Sequence, residues 1–275
     1  MIDRLAAVRI FADARTLVTA AAELFVEACD EAIGRDGRFL VALSGGSTPR
    51  GLYRRLASTE FRERCDWSRV EFFWGDERTV PSDRSESNFR MAREYLLDPL
   101  GIAAGQIHRM ESEQADLDGA AAKYQHEIAE VCGVDDDGTP PALDLVLLGM
   151  GDDGHTASLF PHTAALAEEK RWVVANRIPQ LSTDRLTMTV PLINRAKRIV
   201  LLVCGADKAG RLSEVLTGPL DTDRLPSQMI WPVAGSIHWL VDNAAAAALP
   251  VRRSASGSVC QVSMVARKSA PKRPE

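Results

Sequence analysis

The sequence predicts an α/β fold in which a mainly parallel β-sheet is flanked by helices. Two observations predict it. Short apolar segments alternate along the chain with segments of helical periodicity, which is the order expected of βαβ units. Three of the apolar segments are continuous runs, as in parallel strands that are buried on both faces. We therefore expect the ligand site to lie outside the carboxyl ends of the strands.

The first predicted helix covers residues 14–35. Its apolar residues follow i, i+3, i+4, i+7 spacing, and Gly34 closes it. Apolar runs and capping residues place the other elements. The predicted strands are 38–43, 69–74, 143–149, 172–176, 185–190, 198–205 and 237–242. The further predicted helices are 47–58, 85–100, 115–133, 206–218 and 243–249.

The composition predicts one domain over residues 1–250 and a basic tail over residues 251–275. The tail holds six Lys or Arg residues against one Glu, is rich in Ser and Pro, and lacks periodicity, so we expect it to be mobile. Contact with nucleic acid or a protein partner is the alternative for the tail. The whole chain has a formal net charge of −5 and its body shows no basic face, which argues against a nucleic-acid partner.

The five cysteines are odd in number and show no paired CxxC spacing, which argues against a disulfide framework or a zinc knuckle. Cys29 and Cys204 lie in apolar patterns and are expected to be reduced core residues. No apolar run is long enough to span a membrane, and charges interrupt the N-terminal apolar stretches, unlike those of a signal peptide. We expect a cytoplasmic protein. The sequence does not determine the oligomeric state, for which a monomer is favoured.

A glycine-rich turn follows the first predicted strand. It comprises Ser44, Gly45, Gly46, Ser47 and Thr48. Thr48 is placed to cap the next helix, and the two glycines let the backbone approach a ligand closely. A helix N-terminus presents free N–H groups to an anion. The turn lacks the GKS/T of an ATP-binding loop and the GxGxxG of a dinucleotide fold, so it predicts a site for a small phosphate. An ordinary strand–helix turn is the alternative.

Three consecutive charges, Asp76, Glu77 and Arg78, follow the second predicted strand. Arg78 suits bidentate recognition of a phosphate or carboxylate, and Asp76 suits orienting or deprotonating a group. A surface cluster is the alternative. The location at the end of a strand favours the functional interpretation.

Polar groups also crowd the segment "GMGDDGHTASLFP" (149–161), directly after the apolar run 143–149. His155 is the natural proton shuttle, since imidazole titrates near neutral pH, and Asp153 is placed to hold its tautomer. A structural histidine is the alternative. Asp152, Asp153, His155 and His162 are also metal-ligand types, but no further cluster of His or Cys supports a metal site.

Two cations complete the candidate site. Lys208 lies in the first turn of the predicted helix 206–218, where a cation is unfavourable unless an anion lies in front of it. This predicts a phosphate contact. Arg185, at the head of the predicted strand 185–190, is a further candidate, with a surface charge as the alternative.

Four segments together resemble one family. They are "LSGGSTPRGLY", "FFWGDERTVPSDRSESN", "LGMGDDGHTASLFP" and "VCGADKAGRL". Their order and approximate spacing are similar to those of the 6-phosphogluconolactonases of the pentose phosphate pathway, over about residues 10–245. The resemblance implies the Rossmann-like sheet that these enzymes share with glucosamine-6-phosphate deaminases and ribose-5-phosphate isomerases.

Two local features separate this chain from the sibling deaminases. In the third segment deaminases carry Asn-Glu-Pro a few residues after Asp-Gly-His, where this chain has "ASLFP". In the second segment Arg78 follows Asp-Glu, and the deaminase pattern lacks it. Both features favour the lactonase. His162 stands where lactonases usually carry a glycine, which is a departure without an evident chemical role.

The resemblance implies hydrolysis of 6-phospho-D-glucono-1,5-lactone to 6-phospho-D-gluconate, without a cofactor. His155 would activate water while Asp153 orients it. Backbone N–H groups near Gly154 or the Gly45–Gly46 turn, or Arg78, would meet the negative charge.

The phosphate of that substrate would be held by Arg78, Lys208 and the Ser44–Thr48 turn, with Arg185 as a further contact. A deaminase-like or isomerase activity on the same scaffold is the second hypothesis. A non-catalytic phosphosugar sensor is the third, although no helix-turn-helix-like segment precedes residue 10.

Overall fold

The computed structural model describes residues 6–250 and the segment 260–262. Its strands are β1 (Ala6–Phe11), β2 (Phe39–Leu43), β3 (Val70–Trp74), β4 (Asp76–Arg78), β5 (Leu145–Gly149), β6 (Val173–Ile178), β7 (Thr183–Met188), β8 (Arg198–Val203), β9 (Ser236–Asp242) and β10 (Cys260–Val262). Its α-helices are α1 (Ala14–Asp36), α2 (Ser47–Leu56), α3 (Asn88–Ala92), α4 (Asp98–Leu100), α5 (Leu117–Cys132), α6 (Val190–Ile193) and α7 (Ala209–Thr217).

Six strands form a parallel sheet in the order β1-β9-β8-β5-β2-β3, and β10 pairs antiparallel with β1 at one edge. The central strands β2, β5 and β8 are almost wholly buried, as their continuous apolar runs predict. α1 packs against α2 and β2, and α5 packs against β6. The predicted mainly parallel sheet with flanking helices is confirmed.

A second, three-stranded antiparallel sheet has the order β4-β7-β6. Gly75 connects it to the main sheet, because its N–H donates to Leu43 O (2.9 Å) and its carbonyl accepts from Met188 N (2.8 Å). The chain therefore passes from β3 to β4 without a loop. As a result, Asp76, Glu77 and Arg78 lie on a strand of a second sheet that starts at the carboxyl end of β3.

The order of the strands reverses between β2 and β5. The chain moves from β2 to β3 in one direction, and from β5 through β8 to β9 in the other. The segments that leave β2 and β5 therefore diverge to opposite sides, and a crevice opens between them at the carboxyl edge. This is where the sequence predicts the ligand site.

Two predicted helices differ from the structure. Residues 243–249 form turns, in which the Asp242 carboxylate accepts a hydrogen bond from Ala245 N (2.8 Å). The helix predicted over 85–100 starts later, since Ser87 is the residue that caps α3, and a π-helical segment (Arg93–Leu97) joins α3 to α4. The strands β1, β4 and β10 and the short helix α6 were not predicted.

The expectation that Cys29 is a reduced core residue is wrong in this structure, where Cys29 forms a disulfide with Cys65. Cys29 lies in α1 and Cys65 follows α2, and packing of these helices brings the two Cα atoms to 6.5 Å. Pairs that are distant in sequence cannot be recognised from spacing alone. Cys132 and Cys204 have free thiols.

No helix among the described residues is long and apolar enough to cross a membrane. The predicted mobile tail falls outside the described residues, apart from the short strand β10. The single domain over residues 1–250 therefore remains a prediction.

Asp144 fixes the edge of the main sheet opposite the crevice. Its buried carboxylate accepts hydrogen bonds from Leu40 N (2.9 Å), Arg35 Nη2 (2.6 Å) and Lys197 Nζ (3.0 Å). These partners belong to α1, to β2 and to the residue before β8, so one carboxylate joins three segments. Asp36 pairs with the same Arg35 and Lys197 (both 2.8 Å), but it is exposed.

We expect Asp144→Ala to lower the free energy of unfolding by about 3 kcal/mol, because it leaves two cations and a backbone N–H without their shared buried partner. Urea unfolding followed by circular dichroism measures this. Asp36→Ala is the matched control and should cost much less, since exposed pairs are screened by water. Equal losses in the two variants would show that burial of Asp144 is not the cause.

Candidate active site

A cavity of about 240 Å³ lies at the carboxyl ends of β2, β5 and β8. It is lined by almost every predicted site residue: Ser44, Gly45, Gly46, Ser47, Thr48, Asp76, Arg78, His155, Arg185 and Lys208. Asp153 is the one predicted residue outside the lining, and it contacts His155 from behind. The structure thus brings together groups that are more than 150 residues apart in the sequence.

His155 and Asp153 form a close pair. The His155 Nδ1 atom lies 2.6 Å from Asp153 Oδ1, and the same oxygen accepts the His155 backbone N–H at 2.9 Å. Burial raises the pKa of Asp153, but the hydrogen bonds and the nearby charge of His155 outweigh it and bring that pKa below its ordinary value. An ionised carboxylate only accepts, so the Nδ1 atom must carry the proton. Nε2 has no hydrogen-bond partner among the described residues, and His155 lines the cavity.

The loop that carries this pair is fixed by its own backbone. Gly151 N donates to His155 O (2.9 Å), and Gly154 adopts a φ of 89°, which favours glycine. The Gly154 carbonyl accepts from Ser227 N (3.0 Å) and Ser227 Oγ (2.8 Å). Gly151 has a second reason to be glycine, since a Cβ there would lie 2.1 Å from His155 Nδ1.

Arg78 and Arg185 face each other across the antiparallel pair β4–β7. Like charges in directly opposite positions repel. The pKa of Arg185 lies below its ordinary value, mainly because of burial. The positive charge of Arg78 lowers it further, and the negative charge of Asp76 offsets part of the change. The Nε atoms of both arginines are buried and have no hydrogen-bond partner among the described residues. Two opposed guanidinium groups with unused buried donors have the chemistry that suits an anion with several oxygens.

Asp76 is held in place by several polar contacts. Its buried carboxylate accepts Ser158 Oγ (2.6 Å), lies 3.4 Å from Asn88 Nδ2 and lies 4.0 Å from Arg185 Nη1. Asn88 also donates to the Asp76 carbonyl (2.9 Å). These contacts suit the predicted role of orienting a group, here Arg185.

Glu77 points away from the cavity lining and caps α3. Its carboxylate accepts the N–H groups of Arg78, Asn88 and Phe89 (each 2.8 Å) and the Ser87 hydroxyl (3.0 Å). Burial raises the pKa of Glu77, and the hydrogen bonds offset only part of this rise. Its role is structural.

The glycine turn has the free amides that an anion site requires, but its cap differs from the prediction. α2 begins at Ser47 after Gly46, which has a φ of 105°, and Thr48 lies inside the first turn without capping it. The N–H groups of Gly46, Ser47 and Thr48 donate to no acceptor among the described residues. Three unpartnered amides at the start of a ten-residue helix therefore belong to residues that line the cavity.

Gly45 and Gly205 fix the two turns that flank the cavity. A Cβ at Gly45 would lie 1.9 Å from Asn88 Oδ1, so the turn can approach Asn88 only as glycine. Gly205, with a φ of 107°, donates its N–H to Asp242 (3.1 Å). Gly205 starts a short turn that ends at Lys208. Lys208 lines the cavity, and its Nζ pairs with the Asp207 carboxylate (3.1 Å).

Phe160 lies at the site, although the sequence did not predict it to be a site residue. Its ring stacks on the His155 imidazole, with centroids 3.9 Å apart and an interplanar angle of 21°. Ser158, Asn88 and Cys204 were also not predicted at the site. The only available signal was that Ser158 and Phe160 belong to the same segment as His155.

The alternative metal site finds no support in the geometry. Within residues 6–250, no group of three or more His, Cys, Asp or Glu residues is arranged to hold a metal ion. His162 turns away from His155 and pairs with Asp223 on the surface (2.6 Å). The site therefore combines a paired imidazole, two guanidinium groups, a lysine and a helix N-terminus, which together suit proton transfer beside a bound anion.

The chain matches a family described as glucosamine-6-phosphate isomerases/6-phosphogluconolactonase, over residues 12–239. A 6-phosphogluconolactonase from Synechocystis sp. is 45% identical over 78% of this chain and 86% of its own length. One from Mycobacterium leprae is 38% identical over 89% of this chain and 99% of its own length.

Solved structures share the fold. The 6-phosphogluconolactonase from Trypanosoma brucei superposes with a TM-score of 0.78 at 28% identity, over 88% of this chain and 98% of that one. A monomeric glucosamine-6-phosphate deaminase superposes with a TM-score of 0.72 at 22% identity, over 88% of this chain and 99% of that one. The latter likeness concerns the fold alone.

We expect Gly151→Ala to displace the imidazole, because a Cβ would lie 2.2 Å from His155 Cε1 and 2.8 Å from Asp153 Oδ1. The ¹⁵N shifts of the two imidazole nitrogens show which one carries the proton. The wild type should show Nδ1–H, and the variant should show a mixture of tautomers. Gly34→Ala in α1 is the control, since nothing lies within 4 Å of its added Cβ. An unchanged spectrum in Gly151→Ala would contradict the steric argument.

Proposed function

The chain belongs to the glucosamine-6-phosphate isomerase/6-phosphogluconolactonase family, and we propose that it hydrolyses 6-phospho-D-glucono-1,5-lactone to 6-phospho-D-gluconate in the pentose phosphate pathway. The observation that carries this proposal is one cavity in which a paired imidazole with a free Nε2 lies beside an opposed pair of arginines. Curated relatives at 37–45% identity bear the name 6-phosphogluconolactonase, which supports the same reaction.

His155 acts as the general base. Its Nε2 removes a proton from water as the water oxygen attacks C1 of the lactone, and Asp153 stabilises the imidazolium that forms. The tetrahedral intermediate then collapses, the bond from C1 to the ring oxygen breaks, and the imidazolium returns its proton to that oxygen. The open-chain acid loses a proton to solvent at neutral pH. No group other than water is consumed.

The negative charge on the carbonyl oxygen of the intermediate must be stabilised by hydrogen-bond donors. The Gly154 N–H is already used, since it donates to Gly151 O (3.2 Å). The free amides of the Gly46–Thr48 turn and the Arg78 guanidinium remain from the predicted set. We assign the oxyanion to this turn or to Arg78.

The phosphate of the substrate binds to cations around the cavity. Arg78 and Arg185 supply unused buried Nε donors, and Lys208 supplies a third cation at the entrance to α7. A phosphate that carries up to two negative charges relieves the repulsion between the opposed guanidinium groups. Anchoring of this remote group positions C1 and thereby lowers the barrier.

The proposed reaction does not need a covalent nucleophile. A lactone is an activated ester, and the sequence has no GxSxG elbow. Cys204 lines the cavity, but burial raises the pKa of its thiol to about 11, so it stays protonated at neutral pH. Direct attack by water is the simpler route.

The deaminase alternative lacks a carboxylate at the expected place. After Asp153-Gly154-His155 the chain continues to Leu159 and Phe160, which are both buried and apolar. Amine chemistry on this scaffold would have no acid or base at these positions. The cytoplasmic location and the monomeric state remain proposals; the disulfide between Cys29 and Cys65 is unusual for a reducing compartment.

We expect His155→Ala to fold normally and to lose lactonase activity by about two to four powers of ten, because the general base is removed. Initial rates of proton release from freshly made phosphogluconolactone, corrected for spontaneous opening, measure this. His126→Ala is the matched control, since His126 also pairs with a carboxylate (Asp136, 2.9 Å) but lies exposed on α5. Full activity in His155→Ala would reject the assigned base.

We expect Arg185→Ala to raise KM for the phosphorylated lactone at least about tenfold, because a charged contact to the phosphate is lost. Turnover of glucono-1,5-lactone, which lacks the phosphate, should change much less. Arg177→Ala on the neighbouring strand β6 is the control, since Arg177 is exposed and pairs with Asp184. If KM rose equally for both lactones, Arg185 would not bind the phosphate.

A further inference from the structure

Phe160 lies between the catalytic and the phosphate-binding parts of the site. Its side chain is 3% exposed, its ring stacks on the His155 imidazole at 3.9 Å, and the Arg185 guanidinium carbon lies 5.3 Å from the same ring centroid. One apolar ring thus contacts the base and a cation of the proposed phosphate site. The mechanism described above does not use it.

The hydrogen bond to Asp153 alone does not fix the direction of Nε2. A single contact at Nδ1 sets one point of the imidazole, and the ring can still turn by small amounts about its Cα–Cβ and Cβ–Cγ bonds within the range of angles that a hydrogen bond tolerates. Stacking on Phe160, with 21° between the ring planes, restricts that rotation. The hydrogen bond and the stack together determine where Nε2 points, and therefore where the attacking water must lie.

The segment that carries Phe160 is itself held firmly. The Phe160 carbonyl accepts Thr163 Oγ1 (2.8 Å), and Asn176 Nδ2 donates both to Thr163 Oγ1 (3.0 Å) and to Ser158 O (2.8 Å). Asn176 is buried on β6 of the second sheet. The position of the phenyl ring therefore depends on a strand of the second sheet and not on the His155 loop alone.

The ring also interacts with charge that appears during the reaction. His155 becomes an imidazolium when it accepts the proton of water, and the face of an aromatic ring attracts a cation. Arg185, against the same ring, repels that imidazolium. Removal of the ring would take away the attraction and leave the repulsion, so the imidazole would be harder to protonate.

We propose that Phe160 is a positioning residue for the lactonase reaction, which holds the plane of the His155 imidazole and stabilises its protonated form through its π face. This inference rests on the proposed function, because it takes His155 as the base. Phe160 itself does not contact the reacting atoms in this assignment.

The test compares Phe160→Leu with wild type and with Phe160→Tyr. Leucine keeps an apolar side chain but has no ring face, so kcat should fall by about 10- to 100-fold while KM stays within about threefold. The acidic limb of the pH profile of kcat/KM should move to lower pH by about half a unit or more, because a base that is harder to protonate is available at lower pH. Phe160→Tyr keeps the ring, so its kcat and the position of the acidic limb should match those of the wild type.

Phe72→Leu is the matched control, because Phe72 is a fully buried phenylalanine on β3 that does not line the cavity. Thermal unfolding and the ¹⁵N tautomer spectrum of His155 are measured for every variant, so that a loss of folded protein is separated from a loss of alignment. Phe72→Leu is expected to lower the melting temperature and to leave kcat and the pH profile unchanged.

Three outcomes would overturn the inference: wild-type kcat and pH profile in Phe160→Leu, equal kinetic losses in Phe72→Leu, or failure of a folded Phe160→Tyr to restore turnover. The proposed function fails separately, since it is rejected if the wild type itself does not accelerate opening of phosphogluconolactone.

Discussion

The reversal of strand order between β2 and β5 is the constraint on which the site depends. Because the chain leaves these neighbouring strands toward opposite sides, no connection between the described strands covers the carboxyl ends between them. The Ser44–Thr48 turn and the His155 loop occupy the two sides of that opening. Close packing at this opening explains why both loops contain glycine. A Cβ at Gly45 would overlap Asn88, and a Cβ at Gly151 would overlap His155.

The second sheet supplies what the parallel sheet cannot. A parallel sheet offers strand ends and helix N-termini, and these present amides rather than permanent charge. The β4–β7 pair adds two guanidinium groups side by side, with buried Nε atoms that have no partner among the described residues. The Asp76 carboxylate lies 4.0 Å from the Arg185 guanidinium and also accepts a hydrogen bond from the Ser158 hydroxyl. The protein itself therefore leaves positive charge at this site that a phosphate would neutralise, and the rest of the fold must stabilise this arrangement.

Sequence patterns predicted the parts of the molecule in which local chemistry decides the structure. The apolar runs of β2, β5 and β8 require burial on both faces, and Asp153 with His155 stands at the end of such a run. Contacts between distant segments were beyond the same reasoning. Neither the disulfide from Cys29 to Cys65 nor the stacking of Phe160 on His155 has a signal in residue spacing. The turns at 243–249 show a further limit, because the helix propensity of the alanine run predicted a helix where Ala245, Ala246 and Leu249 pack into the core without one.

The segment Asp76-Glu77-Arg78 shows how local geometry separates residues that look alike in sequence. Alternate side chains of a strand point to opposite faces, so Asp76 and Arg78 share one face and Glu77 takes the other. On the first face both residues line the cavity, opposite Thr187 and Arg185. On the other face Glu77 receives the first amides of α3 and has a raised pKa through burial. Three adjacent charges therefore divide into two that line the cavity and one that holds a helix beside it, and this division requires only that the segment be a strand.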